Sequence, residues 1–525
     1  METHCLRHTE IPGTTRLFRD YIYHFDLLSE YYDHAPYDPQ SFSQAAARID
    51  YPASRRAALV AALRATNGDS ASLRKLAQPD TVAVVTGQQA GLFSGPAYTI
   101  YKALTAVRLA AKLDEQGIPA VPVFWIATED HDFAEVDHAH VFTSTPRAVT
   151  LRALGAGVAN QPVGNIPLPA PPVDELAEAL AHFPNGDGIS ALVREAYPPG
   201  ITAGESFRKL LFALLRKFDL LYLDPLDSEI RRIAAPFLKN ALADARGLNA
   251  KLRQRGRELE SKGYHAQVLV EEDTSLLFRL EGKRRLALRR RNGGYAAREH
   301  MYSEGELAAT PEQLSPNALL RPVMQDYLLP TVAYVGGGAE IAYIGQSQVI
   351  YRELLGRMPV ILPRSGFTLI GARTRRQMER YGMPLQSFFA PSEVVRRRIA
   401  NCLVPPTLSE RYADTRRKQD GLLDTLREET LRFDPSLARV LDKTRAKLEY
   451  QLQKLERKVA AEALRRDGQA SRQAEALSTL LYPEKHLQER YYSVLPFMAE
   501  YGNGLMNELY ENIHLDCPDH KIGIL

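Results

Sequence analysis

Cysteine is scarce in this chain. Cys5, Cys402 and Cys517 are the only three in 525 residues, and they lie far apart, without the paired spacing of a zinc or redox site. Reduced, incidental thiols in a cytoplasmic protein are therefore expected. Long apolar runs are missing too: no stretch of about eighteen apolar residues suggests a membrane span, and the opening METHCLRHTEIPGTTRLF lacks the apolar core of a signal peptide. Nor does one sign of charge dominate. The formal balance of +3 carries no bias toward polyanions, and no aromatic–basic interleaving marks a nucleic-acid channel. The lone tryptophan, Trp125, reads as strand core. Neither nucleic acid nor a membrane is an expected partner.

What is present, 45% hydrophobic and 25% charged residues, describes a globular protein of about three domains. The segment from Thr81 to Phe133 is the most informative. Val82 to Val85 is short, β-branched and unbroken, as a parallel strand buried on both faces should be. A loop containing Gly87, Gly91 and Gly95 follows, then a helix from Tyr98 to Leu113, then a strand from Val121 to Ala127. That strand delivers Glu129, Asp130, His131 and Asp132 at its carboxyl end, where open α/β sheets hold their ligands. Thr86, Gln88, Gln89, Ser94 and Thr99 should reach the same sheet edge if the two strands are parallel neighbours. Ionisable groups gathered there suit an ammonium group, a magnesium ion or a transferred proton.

The strand–glycine–helix pattern recurs downstream. Thr331 to Val335 reads as a strand, Gly336 to Gly338 as a tight loop, and the next helix carries Glu340 and Tyr343. A last strand, Pro359 to Leu362, is followed by Arg364 and Ser365, groups suited to phosphate or carboxylate. The fold class is thus α/β, a Rossmann-like parallel-sheet core over about 79–375, after a helical lead-in at 1–78. Inserted segments fall near 140–205 and 230–312. In the second of these, Glu281-Gly282 and Asn292-Gly293 signal a hairpin whose arginines Arg284, Arg285, Arg289, Arg290 and Arg291 are expected on a solvated face. Residues 376–470 form a helical coiled-coil arm, with Leu441, Leu448, Leu452, Leu455 and Val459 on one seam and Leu422, Leu423 and Leu426 on a second helix. The arms pair within one chain or with a second subunit. The patterned segment 471–525 is expected to pack back on the core.

These motifs resemble the bacillithiol-synthesis cysteine ligase family, BshC, over essentially the whole chain. The resemblance is carried by VVTGQQAGLFSGPAYTIYKAL at Val84 to Leu104, PVFWIATEDHDFAEV at Pro122 to Val136, SPNALLRPVMQDYLLPTVAYVGGGAEIAY at Ser315 to Tyr343, and HLQER at His486 to Arg490. It departs at Gly336 to Gly338, where the family commonly has a proline. The resemblance implies a Rossmann-like core, a coiled coil that supports a homodimer, and a reaction joining cysteine to glucosaminyl-malate through an amide. A carboxylate is a poor electrophile, so ATP with magnesium is the natural candidate for its activation. The core also resembles class I aminoacyl-tRNA synthetases and pantothenate synthetase, but their His-x-Gly-His motif is replaced here by Phe93, Ser94, Gly95 and Pro96.

Besides Gly336, Gly337, Glu340, Tyr343, Arg364 and Ser365, expected to bind substrate or nucleotide, the expected site has two parts. The Gly87–Gly95 loop, Ser94, Thr99 and Lys102 should hold an anionic group. Glu129, Asp130, His131 and Asp132 should meet the substrate amine, His131 as general base. A related amino-acid-activating or aminoacyl-transferring enzyme, and a non-catalytic metabolite-binding scaffold, are the alternatives.

Overall fold

The structure, a computed structural model, describes residues 1–291 and 293–525; Asn292, half of the second turn signal, lies outside the described residues. Two units are distinguished. One comprises residues 1–144, 148–369 and 489–525, the other residues 145–147 and 370–488.

The first unit is built on five parallel strands: Val82–Gln88, Ala120–Ile126, Leu221–Leu223, Thr331–Gly336 and Val360–Pro363. In space they run fifth, fourth, first, second, third. Strand alternation sends Val85, Val123 and Trp125 into one core cluster with Ile341 and Ile344 of helix Gly338–Leu354. It sends Val84 and Ala120 into another with Leu109 and Leu113 of helix Tyr98–Glu115. Both faces are covered, which is why these strands read as continuous apolar runs. The chain leaves the first strand toward one edge and later returns to its other side. The switch point, where such sheets bind ligands, lies between the first and fourth strands.

The first strand outlasts its apolar run: Gly87 and Gln88 still pair with Trp125 and Ile126. Gly87 is there because the neighbouring strand is close, since a Cβ on it would stand 2.8 Å from the Trp125 carbonyl oxygen. The lead-in contains helices Arg16–Tyr23, Pro39–Ala47, Ala53–Asn67 and Ala71–Leu76, but a strand precedes them. Glu2–Leu6 pairs antiparallel with His520–Ile524, a long-range partnership that no local pattern discloses. The arginine-rich hairpin belongs to a five-stranded antiparallel sheet, its strands Thr274–Glu281 and Arg284–Arg291 turning at Gly282, where φ is +56°.

In the second unit, helices Pro406–Phe433 and Ala438–Arg466 pair with each other within the chain. Arg416 meets Glu449 at 3.4 Å, while Arg427 pairs with Asp442 and Arg445 with Asp424, so the two helices run antiparallel. Among the described residues, no helix is long and apolar enough to cross a membrane.

Candidate active site

At the switch point lies a cavity of about 490 Å³. Gly87, Gln88 and Gln89 reach it from the first strand, Glu129, Asp130 and His131 from the second, Gly337, Glu340 and Tyr343 from the fourth, and Arg364 from the fifth. The parallel register puts these four carboxyl ends side by side, so segments about 275 residues apart in sequence share one wall. Trp125, a buried member of the core, also borders it.

Two ion pairs fix the frame. Lys102, expected to assist anion binding, is buried one helical turn inside, and its ammonium meets Glu340 at 2.7 Å, Gln88 Oε1 at 3.1 Å and the Gly87 carbonyl. Glu340 also accepts from the Gly337 N–H at 2.8 Å and the Tyr334 hydroxyl at 2.6 Å. Burial pulls Lys102 below its usual value against the pull of Glu340. For Glu340, burial is outweighed by Lys102 and the Gly337 N–H, and its carboxyl ends below the usual range. The ionised pair ties the first strand's turn to the fourth's. Arg364 is likewise committed: Glu489 grips it through two bonds, 3.0 and 2.6 Å, both side chains being buried. Arg364 borders the cavity with its charge already answered.

His131 has a partner the sequence did not indicate. Arg285 is buried, not solvated, and its guanidinium donates to His131 Nδ1 at 3.0 Å, Ser315 Oγ at 2.9 Å and the Pro316 carbonyl at 2.6 Å. Because guanidinium only donates, Nδ1 must accept, so the neutral ring carries its proton on Nε2. Burial, then the Arg285 charge, lowers the His131 pKa further. The expected general base thus has one nitrogen occupied and the other protonated. Asp130 stands beside it, partly exposed, accepting from Gln89 at 2.6 Å and from the His131 backbone N–H at 2.7 Å. Glu129, also at the cavity wall, is held in a buried pair with Arg231 at 2.6 Å. The carboxylates at 129–132 therefore do not converge as magnesium ligands, and among the described residues no three His, Cys, Asp or Glu side chains gather as a metal site.

The anion cradle expected at Gly87–Gly95 is not formed. Ser94, Gly95 and Thr99 lie outside the cavity lining, with Ser94 and Thr99 fully buried. The nearby amides are already used. Leu92 N–H donates to the Val136 carbonyl, Phe93 N–H to the Tyr197 hydroxyl, and Ala97 N–H to the Tyr492 carbonyl, because the later chain packs over this turn. Gly95 meets a backbone need, its φ being +65°. Thr86 is also behind the wall, its hydroxyl donating to the Val335 carbonyl at 2.8 Å. Gly336 packs against Tyr334, Ser365 N–H donates to Thr105 at 3.2 Å, and Asp132 is exposed outside the lining.

Three cavity cations have no carboxylate within salt-bridge distance among the described residues: Arg285, Arg321 and Arg490. Arg321 donates to the Tyr343 hydroxyl at 3.0 Å and to Gln325 at 3.1 Å. It and Arg490 sit inside motifs quoted above, but helix periodicity alone reads them as surface charge.

A doubly wound parallel sheet with a charged cleft at its switch point defines a Rossmann-like small-molecule-binding protein. Residues 1–365 match the family described as bacillithiol biosynthesis BshC, N-terminal Rossmann-like domain, and residues 367–524 its C-terminal coiled-coil domain. The chain belongs to the BshC family. A protein of Solibacter usitatus named "Putative cysteine ligase BshC" is 49% identical over 100% of both chains. Relatives of the same name in Koribacter versatilis and Salinibacter ruber are 36% identical over 99% of each chain, and 30% identical over 96% of this chain and 95% of theirs.

Proposed function

We propose that this protein is a ligase joining cysteine to glucosaminyl-malate, through an amide between the cysteine carboxyl and the sugar amine. The single observation that carries this reading is the charge pattern of the cavity. Three arginines without carboxylate partners share it with the Asp130 carboxylate. The acceptor substrate has the complementary pattern, two malate carboxylates and one ammonium. Arg321 and Arg490 take the malate, since guanidinium forks match carboxylates and hold their charge at any working pH.

Asp130 takes the sugar ammonium and its proton, leaving the amine free to attack. His131, fixed by Arg285, offers Nε2–H as a donor to oxygen on the substrate. The cysteine carboxylate needs activation, and a nucleoside triphosphate is the proposed co-substrate. ATP is the first candidate, and no step is assigned to magnesium. Homodimerisation through the coiled coil completes the proposal, supported by Leu422 and Leu426 on one helix and Leu448 and Leu455 on the other, all solvent-exposed.

The test is direct: purified protein with cysteine, glucosaminyl-malate and ATP, GTP or CTP, read by mass spectrometry for the thiol product. Cysteine-dependent exchange of pyrophosphate into ATP would report an adenylate. Saturable binding of glucosaminyl-malate without product under any donor would overturn the ligase reading in favour of a scaffold.

A further inference from the structure

Cys5 and Cys517, separated by almost the whole chain, are neighbours. Cys5 lies on strand Glu2–Leu6 opposite Lys521 of strand His520–Ile524, and its Sγ stands 3.4 Å from that of Cys517. Cys5 is exposed and Cys517 half-buried. The expectation of isolated thiols fails here because antiparallel pairing of the two chain ends folds the sequence back on itself.

A second observation concerns Lys521. Its side chain is fully buried, its ammonium has no hydrogen-bond partner among the described residues, and it acts electrostatically on both thiols. A buried ammonium without a hydrogen-bond partner is costly; the Asp519 and Asp516 carboxylates act on it too, and a neighbouring thiolate would offset that cost further.

We propose that Cys5 and Cys517 form a thiol–disulfide exchange site whose ligand is a low-molecular-weight disulfide, with Lys521 stabilising the reacting thiolate. Cys5, the exposed sulfur, attacks one sulfur of the ligand. The ligand's S–S bond breaks, one thiolate leaves and takes up a proton, and a mixed disulfide remains on Cys5. Cys517 then attacks Cys5 Sγ, forming the Cys5–Cys517 bond and expelling the second thiolate, which is protonated in turn. Two protein thiols are oxidised and one ligand disulfide is reduced to two thiols, so atoms and electrons balance. The proposal is independent of the ligase reading.

The site has a path toward the cavity wall. Lys521 N–H donates to the Gly366 carbonyl at 2.8 Å, and the next residue, Phe367, donates its N–H at 2.9 Å to Glu489, the carboxylate that holds Arg364. Burial, followed by the Cys517 thiol, pushes the Cys5 pKa up, with Asp519 adding to the rise and Lys521 opposing it, so exchange should quicken as pH rises.

Glutathione disulfide serves as the probe on the full-length protein, followed by intact mass and peptide mapping. The expected result is a Cys5–Cys517 linked peptide, an intact mass lower by two hydrogens, and reversal by dithiothreitol. Lys521→Met should slow linkage roughly tenfold, with Cys402 as internal control for general reactivity. Cys517→Ser should halt the reaction at a glutathione adduct on Cys5, with its circular dichroism showing retained fold. Stable adducts on Cys5 in the unmodified sequence, Cys5 reacting no faster than Cys402, or a rate unchanged by Lys521→Met would each overturn the proposal.

Discussion

At the scale of single residues, the site is governed by which charges are already answered. Arg364 was legible from its place after a strand, yet its fork is filled by Glu489; Arg321, which no local pattern marked, is a cavity cation without a carboxylate partner. Arg321→Met is expected to raise KM for glucosaminyl-malate roughly 10- to 100-fold with kcat little changed, the loss of one charged hydrogen bond of about 1.5–3 kcal/mol. Steady-state kinetics checks it. Asp130→Asn should lower kcat by about 10²-fold or more, and a smaller loss than that of His131→Ala would return the base role to the histidine. Acid stability follows from two other histidines. Burial first, then neighbouring positive charge working against Glu489, lowers His520 to about 3 and His8 to about 4. Their unfolded forms bind a proton near pH 6.5 that the folded protein refuses. Stability is therefore expected to fall as pH drops below about 6.5, by up to about 1.4 kcal/mol per pH unit for each such ring, the slope from His8 fading near pH 4. Denaturant midpoints across pH 4–7, with His520→Gln flattening the limb, test this.

At the scale of elements, two strand–turn–helix units meet through Lys102 and Glu340, and their register decides what reaches the cavity. Lys102→Met strands the Glu340 carboxylate and is expected to cost about 3 kcal/mol in urea unfolding, with K102M/E340Q recovering part. Gly87→Ala should be destabilising by about 1–3 kcal/mol, because the added carbon meets backbone, which cannot rotate aside. Most elements were readable: unbroken apolar runs and glycine punctuation marked the first, second, fourth and fifth core strands, and heptad leucines marked the two long helices. The loop chemistry was not. A glycine-rich turn before a helix reads as an anion cradle, but here the Tyr197 hydroxyl and the Val136 and Tyr492 carbonyls take its amides, and these come from distant segments. The hairpin misled for a similar reason: its pattern gave alternation but not which arginine the sheet would bury.

At the scale of the whole molecule, the proposed dimer rests on the paired helices. Leu422→Glu with Leu455→Glu is expected to convert a dimer to a monomer in sedimentation velocity while leaving helicity unchanged; a monomeric parent protein would reject the dimer. Local patterning alone determined the α/β class, the order of the core strands and helices, and which strand ends border the cavity, because backbone periodicity and burial act over a few residues. Only the tertiary structure decided that Arg285 grips His131, that Glu489 neutralises Arg364, and that Cys5 meets Cys517. Each joins segments more than a hundred residues apart, and such pairings depend on how sheets close and chain ends return, which no short-range preference encodes.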